Sequence, residues 1–152
     1  MAPSCMSRKG LLKMAEEKNF EEKVKELGGR CIPLAVSGAF HSPFMSDAAE
    51  KFEAELANYA IATPKIPVYA NLTAKPYEDD IASTLKMQMQ SPVKWQETIE
   101  NMIAEGFTDF IEVGPGKTLS GLIKKISKEV NVYSVENAET LAETVEAVKN
   151  NA

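Results

Sequence analysis

Runs of β-type residues and apolar stripes at helical spacing take turns along this chain, and Gly or Pro stands at most of the changes between them. No other feature constrains the fold so tightly. A strand, a helix and a second strand in succession close most readily as a crossover between parallel neighbours. Residues 32–36, 66–70, 107–113 and 130–135 read as strands; 66–70 reads as short and buried, entered through Pro64 and Pro67 and left at Asn71-Leu72-Thr73-Ala74. Between them the period changes to that of a helix. Residues 43–60 place Phe44, Met45, Ala48, Ala49, Phe52, Leu56 and Tyr59 on one face. Residues 79–90 predict a helix, and Ser91-Pro92 resembles an N-cap with Pro in the first turn of the next. That next helix carries Trp95, Ile99, Met102 and Ile103 on one side and stops at Gly106. Gly114-Pro115-Gly116 makes a tight turn into a helix striped by Leu119, Leu122, Ile123 and Ile126, and Leu141, Val145 and Val148 stripe the last one. At the other end, residues 11–27 are rich in Lys and Glu with apolar residues at helical spacing, and Gly28-Gly29 stops them. The expectation is an α/β fold with a mainly parallel sheet.

Composition narrows the function classes. A chain of 152 residues is the size of one domain, with 44% apolar and 26% charged residues, both ordinary for a soluble globular protein. No run approaches the ~20 apolar residues of a membrane helix, so no membrane role is expected. The net charge of −5 leaves no basic field to hold nucleic-acid phosphates. Cys5 and Cys31 have no CxxC spacing and no nearby His, so neither a metal site nor a disulfide framework is indicated, and free thiols fit a cytoplasmic protein. Residues 1–10 lack acidic side chains and are followed by Glu-rich sequence; they read as a disordered lead or an expression scar.

The chain has one histidine, His41, which follows a predicted strand end through Gly38. Strand ends are where open α/β sheets place their chemistry, and His is the side chain suited to proton transfer near neutral pH. His41 is therefore the candidate general base. Ser42 adjoins it, but sequence neighbours rarely aim side chains at one another, and a turn or capping role suits Ser42 better. Nowhere is there a Gly-x-Ser-x-Gly elbow to expose a nucleophilic serine. Gly114-Pro115-Gly116-Lys117-Thr118 invites a phosphate-loop reading but has Ile111 where the first Gly would stand, so a sharp strand-to-helix turn is preferred. Lys117, Lys124, Lys125 and Lys128 make one helix basic; a solvated face is the plain explanation and a dock for an acidic partner the sharper one. Trp95 reads as core. The pairs Glu16-Glu17, Glu21-Glu22 and Asp79-Asp80 are sequence neighbours and read as surface charge.

Four segments carry a family resemblance, in order: Pro33-Leu34-Ala35-Val36-Ser37-Gly38-Ala39-Phe40-His41-Ser42-Pro43, then Val68-Tyr69-Ala70-Asn71-Leu72-Thr73-Ala74, Gln88-Met89-Gln90-Ser91-Pro92-Val93-Lys94-Trp95, and Glu112-Val113-Gly114-Pro115-Gly116-Lys117-Thr118-Leu119. Together they resemble the C-terminal portion of malonyl-CoA:acyl carrier protein transacylases, from about Phe20 onward. The resemblance implies the C-terminal part of an α/β-hydrolase-like acyltransferase domain with the tail of a ferredoxin-like small subdomain. The expected division is a lead at 1–10, the end of the small subdomain at 11–37, and the large domain at 38–152. In the family the nucleophilic serine, the arginine that clamps the substrate carboxylate and the oxyanion-hole amides all lie upstream of these motifs. A fragment or truncated product, inactive or nearly so alone, is therefore expected.

The same resemblance implies roles. His41 would be the base of a Ser–His dyad in ping-pong transfer of malonyl from malonyl-CoA to the phosphopantetheine thiol of acyl carrier protein, in fatty acid biosynthesis, with no cofactor and no metal. Gln88 stands where the family supplies a backbone carbonyl that orients the histidine. Phe40 resembles the malonyl-type pattern, in which a bulky ring crowds a 2-methyl group, a discrimination of about 1–3 kcal/mol. Apolar faces built for absent strands would be exposed, so self-association is expected. Two other readings stand beside this one: a non-catalytic module binding acyl carrier protein through Lys117, Lys124, Lys125 and Lys128, and a stand-alone hydrolase using Cys31 or Ser42 with His41.

Overall fold

The structure is a computed structural model and describes residues 20–30 and 39–151. The strand expected at 32–36, the lead at 1–10 and both cysteines lie outside the described residues. The chain divides into two compact units that part between Lys94 and Trp95.

In the first unit, α1 (Phe20–Glu26) ends at Gly28, whose φ of 75° is the left-handed conformation that closes helices most cheaply in glycine. A 3₁₀ turn (Pro43–Met45) leads into α2 (Ser46–Leu56), shorter than the stripe over 43–60 suggested. Helix α3 (Ile81–Gln90) packs against α2, and the Lys86–Glu53 ion pair joins them at 2.5 Å. Asp80 caps α3 by accepting a hydrogen bond from the Ser83 amide at 3.2 Å.

Two expectations are corrected here. Residues 66–70 do not form a buried strand: a single antiparallel bridge joins Tyr69 to Pro76, flanked by Tyr77 N–H to Val68 O and Ala70 N–H to Lys75 O, both 2.8 Å, and Ile66 is 77% exposed. Pro67 and Pro76 have no N–H to extend a ladder. Ser91 does not open the following helix but closes α3. Pro92 drives it into extended backbone (φ −121°, ψ 151°), and the next helix begins only at Trp95.

The second unit is built on a parallel pair, β1 (Asp109–Val113) and β2 (Asn131–Val135), in register from Asp109 opposite Asn131 to Val113 opposite Val135. Helix α4 (Trp95–Ala104) precedes β1, α5 (Thr118–Ile126) is the crossover, and α6 (Ala138–Asn151) follows β2. The core gathers on the Phe110–Val132 face. Ile99, Phe110 and Ile123 are buried there, with Trp95, Met102, Ile103 and Ile126 packed around them. The pleat sends Ile111 and Val113 to the other face, where they are 48% and 80% exposed. Gly114 (φ 134°) and Gly116 (φ 91°) make the turn from β1 to α5 in backbone conformations that favour glycine.

The amides that open α5 are already occupied. The Glu112 carboxylate, at the end of β1, accepts hydrogen bonds from Leu119 N–H (3.1 Å) and Ser120 N–H (2.8 Å), and Glu136 accepts one from Gly116 N–H (3.3 Å). An internal carboxylate thus takes the place an external anion would hold at a helix N-terminus, which supports the turn reading over the phosphate loop. Hydrogen bonds from Ser120, then from the Leu119 amide, hold the Glu112 carboxyl below its ordinary range against the opposing effect of desolvation. Asp109 is lowered likewise, first by Thr108, then by Asn131 and Tyr133.

Two outcomes are expected. Ile99→Ala empties the centre of the second unit and costs about 2–5 kcal/mol; urea denaturation followed by the fluorescence of Trp95, which packs on the same cluster, measures it, and a loss below about 1 kcal/mol contradicts the core assignment. For Glu112 the folded-state carboxyl is the more acidic. Its contribution is complete above the ordinary Glu value of about 4.3 and is lost as pH falls through the lowered folded value. Glu112→Gln therefore flattens the acid dependence of amide protection at Leu119 and Ser120, measured by hydrogen exchange; an unchanged profile contradicts the cap.

Candidate functional site

The chain approaches His41 in a turn and leaves it through the 3₁₀ turn. His41 has a φ of 58°, a left-handed conformation uncommon outside glycine. It is held there by two bonds to consecutive carbonyls: its backbone N–H donates to Met89 O at 3.1 Å, and its ring Nδ1 lies 2.9 Å from Gln88 O. A carbonyl oxygen only accepts, so Nδ1 carries a proton, and in the neutral ring Nε2 keeps its lone pair. Nε2 has no hydrogen-bond partner among the described residues.

Both acceptors belong to the last turn of α3, where carbonyls have no helical partner. The sequence reinforces this. The residue four places after Gln88 is Pro92, which has no N–H, so the Gln88 carbonyl cannot be claimed by a continuing helix. The C-terminal end of a helix also carries partial negative charge, directed here at a ring that becomes positive on accepting a proton.

The side chain of Gln88 is engaged separately. Its Oε1 accepts a hydrogen bond from Asn71 N–H at 2.7 Å, and the Asn71 carbonyl accepts one from Lys94 N–H at 3.0 Å. The turn at 70–75, the end of α3 and the segment after it are thereby stitched together within the first unit. Ser42 is buried, and its hydroxyl donates to Ala39 O at 2.6 Å, so the proton is spent in the local turn. Phe40 is 46% exposed.

Of the residues singled out from sequence, the structure brings His41 and Gln88 together. The lysines belong to the second unit: Lys117 precedes α5, Lys124 and Lys125 occupy its last turn, and Lys128 lies just beyond, all exposed. Lysines in a last turn also complement the helix dipole, which accounts for two of them without a partner. Sequence reasoning missed the Met89 carbonyl and the Asn71 amide because main-chain groups leave no residue signature. The available signal was Pro92, four places after Gln88. Cys31 lies outside the described residues. Among those described, no His, Cys, Asp and Glu cluster has the arrangement of a metal site, and no helix is long and apolar enough to cross a membrane.

Comparison with known proteins puts this geometry in context. Residues 16–150 match the acyl transferase domain. The malonyl CoA-acyl carrier protein transacylase of Bacillus subtilis (strain 168) is 43% identical over 131 residues, which are 84% of this chain and 41% of that protein. The crystal structure of the malonyl CoA-acyl carrier protein transacylase from Clostridium perfringens superposes with a TM-score of 0.83 at 39% identity, covering 93% of this chain and 44% of that one. A malonyl-transacylase solved in complex with a type II PKS acyl-carrier protein gives a TM-score of 0.81 at 29% identity, covering 92% and 44%. The chain thus spans about two fifths of the length of these relatives and shares the mixed helix-and-strand fold of that part. On the extent of the match, this chain belongs to the acyl transferase domain family.

Proposed function

We propose that this chain is the histidine-bearing part of a malonyl-CoA:acyl carrier protein transacylase of fatty acid biosynthesis, with His41 as general base. The observation that carries the reading is the hydrogen bond from His41 Nδ1–H to the Gln88 carbonyl, which leaves Nε2 as the basic nitrogen. The relatives named above are malonyl transacylases, and one was solved with a type II PKS acyl-carrier protein. In the proposed reaction Nε2 takes the proton of a serine hydroxyl supplied from outside these residues, since the sequence has no Gly-x-Ser-x-Gly. The serine attacks the malonyl thioester and CoA leaves. His41 gives that proton to the departing CoA thiolate. It then takes the proton of the carrier protein's phosphopantetheine thiol as its sulfur attacks the malonyl ester, and returns it to the serine oxygen as the ester bond breaks. One main-chain carbonyl at a helix end, that of Gln88, takes the part that an aspartate plays in a triad.

Phe40, next to the base and partly exposed, is assigned to acyl choice, its ring disfavouring a 2-methyl substituent. Lys117, Lys124, Lys125 and Lys128 are assigned to the acidic carrier protein, through an attraction that salt weakens. A hydrolase using Ser42 is disfavoured by the Ser42 hydroxyl's bond to Ala39.

The test is malonyl transfer from malonyl-CoA to acyl carrier protein, with this chain alone and mixed with a separately made N-terminal part of a relative. Activity is expected in the mixture alone, and His41→Ala in that mixture lowers it by about a thousandfold or more, because base and nucleophile act as a unit. Transfer by the chain alone, or a His41→Ala mixture that keeps most of its rate, overturns the assignment.

A further inference from the structure

The Gln88 carbonyl can orient His41 only if the Gln88 peptide is itself fixed and its oxygen is free. The final turn of a helix ordinarily frays, and a carbonyl there is open to any N–H that the continuing chain offers. Two features of the first unit bear on this. Pro92 stands where the next helical N–H would come from, and it holds Ser91 extended, so α3 stops with the Gln88 oxygen unclaimed. The Gln88 side chain accepts the Asn71 N–H at 2.7 Å, while its carbonyl faces Nδ1 at 2.9 Å. One residue therefore bonds to the turn with its side chain and to the histidine with its main chain.

We infer that the Gln88 side chain and Pro92 are positioning residues for His41: the first pins the peptide whose oxygen holds Nδ1–H, and the second keeps that oxygen free. The donor on Asn71 is a main-chain group that any residue but proline supplies, so the sequence-specific element is Gln88. Gln88 Oε1 bonds the Asn71 amide and Pro92 has no N–H to offer, so both act on the ring through the Gln88 carbonyl. The inference rests on the assignment of His41 as base, yet it concerns the ring's proton and can be read without acyl transfer.

The experiment uses the full chain, in which the single histidine gives one unambiguous set of ring signals. Nitrogen-15 NMR at alkaline pH reports which ring nitrogen carries the proton, and amide exchange reports the Asn71 N–H. Gln88→Met keeps length and apolar stem but removes the acceptor. The Asn71 amide is expected to lose protection, and the ring signals to shift from the Nδ1–H form toward a mixture with Nε2–H. Gln88→Glu restores an acceptor and should bring both back. Pro92→Ala should shift the ring in the same direction while leaving the Asn71 amide protected, as α3 gains an N–H that competes for the Gln88 oxygen.

If Asn71 loses protection in Gln88→Met and the ring does not respond, the tether is structural only and the inference fails. It fails too if Asn71 protection is unchanged, or if Pro92→Ala leaves the ring as it was. Should Gln88→Met not fold, Gln88→Asn withdraws the acceptor by one methylene and reads the same two signals. A ring that responds as described, in a chain whose reconstituted mixture transfers no malonyl, would overturn the proposed reaction and leave the positioning intact.

Discussion

One hydrogen bond organises the first unit: that from His41 Nδ1 to the main-chain oxygen of Gln88. It fixes the tautomer, decides which nitrogen is basic, and gives the ring a partner that stays in place whether or not the ring is charged. It also accounts for a strained residue. A histidine at φ 58° costs of order 1 kcal/mol or more and persists only where its surroundings over-determine it. Here two consecutive carbonyls do so, Met89 O on the backbone amide and Gln88 O on the ring. The end of α3, the break at Ser91-Pro92 and the turn around Asn71 become intelligible as supports for that contact. A carboxylate in the same position would add a full negative charge; a helix end supplies partial charge and a directed oxygen without a titrating partner.

The second unit follows a similar economy. A strand-to-helix turn with two glycines at positive φ presents free amides, and such turns commonly receive an anion from outside. In this chain Glu112, projecting from β1 toward α5, fills that need internally, and hydrogen bonding keeps its carboxylate ionised further into the acid range. The sheet buries Phe110 and part of Val132 on one face and leaves Ile111 and Val113 outward on the other. Parallel strands are ordinarily covered on both faces, and on the second face of this pair Ile111 and Val113 of β1 stay exposed while Tyr133 and Val135 of β2 are partly buried.

Much of this was legible in the sequence because it rests on side-chain period and punctuation. The Ile99–Ile103 stripe, the Gly114-Pro115-Gly116 turn, the α5 helix and the parallel β1–β2 pair all follow from apolar spacing bounded by Gly or Pro, though of the α5 stripe only Ile123 and Ile126 join the core while Leu119 and Leu122 are exposed. Periodicity failed where main-chain hydrogen bonding decided the outcome. Residues 66–70 have strand-like side chains, but the prolines at 67 and 76 deny the ladder its donors, and one bridge remains. Ser91-Pro92 has the composition of a helix start, yet the steric demand of Pro92 on Ser91 made it a helix stop. At the site, His41 stood out by residue type, and Gln88 through the family resemblance. The Met89 oxygen, the Asn71 amide and the direction of the Ser42 hydroxyl are geometric facts with no compositional trace.

The central claim is that a helix-end carbonyl holds the only histidine of this chain as its Nδ1–H tautomer, with Nε2 free for a substrate-side proton. Nitrogen-15 NMR of the His41 ring in the unmodified chain, at alkaline pH where a histidine is neutral, tests it most directly. The account predicts a protonated, hydrogen-bonded Nδ1 and an unprotonated Nε2. A ring found mainly as the Nε2–H tautomer would put the proton on the nitrogen assigned to accept one, and would contradict both the contact and the mechanism built on it.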